Sequence, residues 1–135
     1  MARWDNWHPP TIEKPVAKFE WGVPYAALVH EGAEGGGIIY PGRPWTDYAI
    51  AQTDFERVFT IAFEATQSLQ VAFQSIVDAF EGACYEAMSA PVWYWPTMTR
   101  RYNGEVVPPG ARDIRDLDTL YRSLTIEYQE GFTYA

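Results

Sequence analysis

Cysteine occurs once in the 135 residues, as Cys84. A single thiol excludes an internal disulfide and any site built from several thiolates, and it fits folding in a reducing compartment. Basic residues are scarce as well: ten Lys and Arg against eighteen Asp and Glu leave a formal charge of -8. Contact with a phosphate backbone draws its affinity from Lys and Arg, so nucleic acid is a poor ligand for such a surface. No window approaches the ~18 consecutive apolar residues of a membrane span, and residues 1–10 hold no apolar run of signal-peptide length. These absences predict a chain that stays inside the cell that makes it. Histidine is limited to His8 and His30, with no Cys or second His at ligand spacing, so no metal and no cofactor are expected.

What is abundant is aromatic: six Trp, nine Tyr and seven Phe make up 16% of the chain, more than one small core needs. Aromatic side chains bury a large rigid body at low entropic cost and are enriched at protein interfaces, which predicts that another molecule covers some of them.

The organisation predicted is one α+β domain over 16–135, a mainly antiparallel sheet packed against one or two long helices, preceded by an arm over 1–15. The arm holds Pro9, Pro10 and Pro15, which impose extended backbone, and Trp4 and Trp7, which favour docking on the body or on a neighbour over exposure to solvent. Strand pieces are expected at 16–21 and 25–30, meeting at Gly22-Val23-Pro24, where Pro24 cannot donate to a ladder. A glycine-rich loop, Glu31 to Gly42, leads to Pro44 and a short helix at 46–52. Thr53-Asp54-Phe55-Glu56 matches a capping box on Thr53. Apolar residues at three- and four-residue steps, Phe55, Val58, Phe59, Ala62, Phe63, Leu69, Phe73, Ile76, Val77, Phe80 and Cys84, then place one stripe along a helix over 53–88, with a break expected near Ser68 or Gly82. Unbroken, that helix would run about 50 Å and overhang a domain of this size. A hairpin is expected between 92–95 and 105–107 through Asn103-Gly104, stopped by Pro108-Pro109-Gly110. A helical turn over 116–122 and a strand over 123–128 complete the chain, with residues 123–135 expected near residues 16–30.

No catalytic constellation emerges. Cys84 lies on the apolar stripe, where a thiol is protonated and inert, so a Cys84–His30 pair is not expected. The glycines of the loop lack a following Lys-Ser or Lys-Thr and are flanked by Glu31 and Glu34, which would repel a phosphate. Asp113, Asp116 and Asp118 beside Arg112, Arg115 and Arg122 read as caps and a solvated charge network. A different class of function stays open: a carbohydrate- or peptide-binding module presenting Trp93, Tyr94 and Trp95 as an aromatic platform.

Two motifs carry a resemblance. Val23-Pro24-Tyr25-Ala26-Ala27-Leu28-Val29-His30-Glu31-Gly32, followed by Pro41-Gly42-Arg43-Pro44-Trp45, resembles the Tyr-Ala-x-x-Val-His/Glu-x-Gly run, variable loop and Arg-Pro-Trp/Phe of the tail-completion and head–tail connector proteins of long-tailed bacteriophages. Asp116-Leu117-Asp118-Thr119-Leu120-Tyr121-Arg122-Ser123 resembles that family's Asp-Thr-Gly-x-Leu-x-x-Ser, matching at Asp116, Leu120 and Ser123. In the family this second motif precedes the first, whereas here it follows, as in a circular permutation. The resemblance implies a non-catalytic structural protein of the virion neck, made in the host cytoplasm. It would form a homo-oligomeric, six-fold ring between the head connector or stopper and the tail-tube proteins, in a tail-terminator or tail-completion role, with DNA passing through the lumen without specific binding. On that reading the interface residues are Trp4, Trp7, His30, Glu31, Glu34, Arg43 and Trp45. Arg43 and Trp45 are expected as anchors whose truncation spares the folded monomer.

Overall fold

The computed structural model of the protein describes residues 15–35, 38–95, 99–100, 104, 106–115 and 118–128. The chain is an α+β protein with four helices and four two-stranded antiparallel ladders among the described residues. Strand β1, Ala17–Trp21, alternates half-buried Ala17, Phe19 and Trp21 with exposed Lys18 and Glu20, as a strand with one covered face must. Its ladder partner is β8, Leu124–Tyr128, which pairs Trp21 with Leu124 and Ala17 with Tyr128. Residues 124–128 therefore lie beside 17–21 as expected, while 129–135 fall outside the described residues.

The segment expected as a second strand at 25–30 is instead a helix, α1, Ala26–Glu31. A run as short as Tyr25–His30, with five apolar residues in a row, has no period long enough to separate strand from helix, and Ala26-Ala27-Leu28 are strong helix formers. Pro24 sits in the turn that enters it, closed by Ala26 N–H donating to the Val23 carbonyl at 3.2 Å. The segment beyond carries a strand pair, β2, Ala33–Gly35, against β3, Ile38–Tyr40.

Helix α2, Trp45–Gln52, ends at Thr53, whose hydroxyl donates to the Ala49 carbonyl at 2.7 Å. With Thr53 so engaged, Asp54 and not Thr53 caps α3, Phe55–Thr66, accepting from the Arg57 amide at 3.1 Å. The long stripe is broken where a break was expected: Gln67 takes a left-handed φ of 55° and Ser68 caps α4, Leu69–Ser89, by accepting from the Val71 amide at 3.1 Å. Helices α3 and α4 thus fold back on each other, which resolves the overhang.

After α4 the chain turns into β4, Trp93–Trp95, and the hairpin partner differs from the expected 105–107. β4 pairs with β7, Gly110–Arg112, while β5, Thr99–Arg100, pairs with β6, Val106–Val107. Pro108 and Pro109, which have no amide proton to give a ladder, lie between β6 and β7. A 3-10 turn over Tyr121–Ser123 leads into β8.

The buried cluster joins these elements: Trp45, Ala49, Cys84, Ala87, Met88, Trp93, Ile114 and Leu120. Ala49, Cys84 and Ala87 have no exposed surface and are small, which lets α2 lie close against α4. Two carbonyls of the last turn of α4, orphaned by the helix end, find donors here: the Trp93 indole N–H reaches Ala87 at 2.6 Å and the Ile114 amide reaches Met88 at 3.0 Å. Phe80 of α4 meets Phe19 of β1 edge-on at 4.8 Å, fixing the β1–β8 ladder on that helix.

Candidate functional site

The sequence motifs lie near one another: Leu120 shares the buried cluster of Trp45. The N–H of Gly22, the residue just before the Val23–Gly32 segment, donates to the carbonyl of Ser123, the end of the Asp116–Ser123 segment, at 3.2 Å. The Arg43 amide donates to the Val29 carbonyl at 2.8 Å, which ties the Pro41–Trp45 segment to α1. Gly42 makes this approach possible. A Cβ there would fall 2.8 Å from the Glu31 carbonyl carbon and oxygen and 2.9 Å from the His30 oxygen, closer than such atoms come.

Around Trp45 the side chains form two distinct groupings. On one side Trp21 and His30 both meet its ring edge-on, at 5.4 and 4.8 Å. His30 is bonded at both nitrogens: Nδ1 to Glu31 Oε1 at 2.6 Å and Nε2 to Thr46 Oγ1 at 2.6 Å. An ionised carboxylate only accepts, so the bond to Glu31 places the proton of a neutral imidazole on Nδ1 and leaves Nε2 to accept from the Thr46 hydroxyl. A shallow groove of about 280 Å³ opens here, lined by Trp21, Ala26, Ala27, His30, Glu31, Trp45 and Thr46.

Carboxylate, imidazole and hydroxyl in this order also serve nucleophilic hydrolases, where the acid is buried and orients the base. Here the Glu31 side chain is 74% exposed and adjacent in sequence to His30. Water screens such a pair, and the three groups act as a clasp between the end of α1 and the first turn of α2.

The second grouping is cationic. The guanidinium carbons of Arg43 and Arg112 each lie 3.7 Å from the centroid of Trp95. Two groups cannot share one place above a ring, so they take opposite faces and sandwich the indole. Arg43 is 9% exposed. Its Nη2 donates a long 3.4 Å bond to the Tyr94 carbonyl, and its buried Nε has no hydrogen-bond partner among the described residues. Burial, and secondly the charge of Arg112, hold the Arg43 pKa below the ordinary arginine value.

Of the residues singled out in the sequence, His30, Arg43 and Trp45 are brought together, with Glu31 at the rim. Glu34 pairs with Ile39 in the β2–β3 hairpin. Trp4 and Trp7 lie outside the described residues. Trp45 requires a correction: at 2% exposure it is a core residue enclosed by its own chain, not a surface anchor. Arg43 is likewise packed within the chain, at 9% exposure. Trp21, Thr46 and Arg112 carry no local signal that would have found them. Their roles come from partners distant in sequence: Trp95 meets Arg43 across the sequence, and the β4–β7 register sets Arg112 opposite Trp93.

Among the described residues no group of three or more His, Cys, Asp or Glu is placed to hold a metal ion, and no helix is long and apolar enough to cross a membrane. Comparison with family models, with curated proteins and with solved structures finds no match to this chain.

Proposed function

We propose that this chain is a structural protein of the neck of a long-tailed bacteriophage, forming a ring that joins the head connector to the tail tube. The observation that carries the reading is the closeness of the segments that resemble the tail-completion proteins: Arg43 bonds Val29, Leu120 shares a buried cluster with Trp45, and Gly22, next to the first motif, bonds Ser123, the end of the second, from the far end of the described chain. A permuted motif order preserves a fold where the rejoined ends lie close together. The β1–β8 ladder supplies that closeness. A formal charge of -8 suits a lumen through which DNA slides without adhering.

The rival reading, an aromatic-rich module for carbohydrate or peptide, loses support. Trp93 is 8% exposed and bonded to Ala87, and Trp95 is covered by two guanidiniums, so of the three platform residues Tyr94 alone is open, at 61%.

The test is complementation in the phage that encodes the chain. With the gene disrupted, heads and tails are expected to accumulate unjoined, and supplying the protein in trans should restore joined particles that contain it. Normal joining without the protein would overturn the proposal.

A further inference from the structure

We infer that Arg43, braced against Trp95, is a socket for a carboxylate carried by a second copy of this chain, an inference that rests on the ring reading above. Arg43 is nine-tenths buried, yet no carboxylate meets it among the described residues, and its hydrogen bonding is confined to the 3.4 Å contact with the Tyr94 carbonyl. A guanidinium taken out of water this far calls for an anion to complete its five donors. Trp95 holds the guanidinium carbon 3.7 Å from its ring centroid, and the planar fork of a guanidinium matches a flat two-oxygen acceptor, which a carboxylate is.

The chemistry of the occupant follows from the balance of the chain. Eighteen acidic residues against ten basic make carboxylates the most abundant charged group on any neighbouring copy. A locally cationic socket on an acidic molecule suits a head-to-tail contact, in which one patch meets a different patch of the next subunit and the series closes as a ring.

Sedimentation velocity of the full chain over a range of concentrations, at low and high NaCl, tests the socket. Self-association is expected to weaken with salt, and Arg43→Gln to weaken it about tenfold or more. Association of Arg43→Gln equal to wild type would overturn the socket and leave the ring standing. Should circular dichroism show Arg43→Gln unfolded, Arg43→Lys keeps the charge and the aliphatic stem but not the fork. It is then expected to associate several-fold more weakly, and unchanged association would overturn the socket.

A second readout does not depend on assembly. The Arg43 Nε–H signal in a nitrogen–proton spectrum is followed while a capped Glu-Glu-Glu peptide, or inorganic phosphate at equal ionic strength, is added. A shift with the peptide and none with phosphate is expected. The same result from a chain that stays monomeric throughout supports the socket and counts against the ring. An equal shift with phosphate, or none with either, overturns the carboxylate assignment.

Discussion

Replacing Trp45 with Ala separates a core role from a contact role, and its magnitude can be worked from the structure. Trp45 is 2% exposed, and truncation of a buried aromatic residue to Ala costs about 3–5 kcal/mol through lost transfer energy and the cavity left behind. Two edge-on ring contacts, with Trp21 at 5.4 Å and His30 at 4.8 Å, push the cost toward the upper end, each worth about 0.5–1.5 kcal/mol beyond area alone. One effect opposes them. The Trp45 indole N–H is buried with no partner among the described residues, and removing an unsatisfied donor returns about 1–3 kcal/mol. The net expectation is a loss of about 3 kcal/mol, a large fraction of a typical domain stability of about 5–15 kcal/mol. Trp45→Phe keeps most of the ring and deletes the orphaned N–H, so a change below about 1.5 kcal/mol is expected. Urea unfolding followed by far-ultraviolet circular dichroism measures both. An unchanged midpoint for Trp45→Ala, accompanied by loss of self-association, would refute the reasoning and return Trp45 to the surface.

Three further outcomes are expected. Burial first, and the charge of Glu81 second, push the Cys84 thiol from its ordinary 9.0 up to about 12, so iodoacetamide should modify it far more slowly in the native protein than in urea. Because the folded state holds that proton more tightly than the unfolded state, the contribution is intact below pH 9 and is lost as pH rises from 9 toward 12; a denaturation midpoint that climbs across that window in wild type relative to Cys84→Ala would contradict it. Gly42→Ala should destabilise by about 1–3 kcal/mol, since its Cβ would press on the Glu31 carbonyl at 2.8 Å, and thermal melting would show a drop of several degrees. Thr46→Val should cost about 1 kcal/mol by unmaking the clasp to His30 at 2.6 Å, while hydrolysis of p-nitrophenyl acetate stays the same in wild type and variant; a rate in wild type that vanished with Thr46 would make the clasp a nucleophilic relay.

The sequence by itself determined the elements whose period is long or whose caps are explicit. The alternation of Ala17, Phe19 and Trp21 marked β1, that of Leu124 and Ile126 marked β8, and the three- and four-residue steps from Phe55 to Cys84 marked the helical stripe together with the break at Ser68. Those signals are local: period and capping act within a few residues, so they can be read without knowing the fold. They were also enough to pick out His30, Glu31, Arg43 and Trp45, because a His-Glu-Gly and an Arg-Pro-Trp flank the glycine-rich loop. Only the tertiary structure decided what those residues do. The run over 25–30 became α1 because five consecutive apolar residues fit either period and the turn at Pro24 admitted the helix. β4 pairs with Gly110–Arg112 because Val106 and Val107, nearer the turn, are taken by Thr99 and Arg100, and that register set Arg112 near Trp95. Trp45 turned inward because Trp21, Cys84 and Met88 of α4, and Leu120, from three separate stretches of chain, pack in one cluster with it. Burial is a property of the whole packed set, and no window of sequence contains the neighbours that create it.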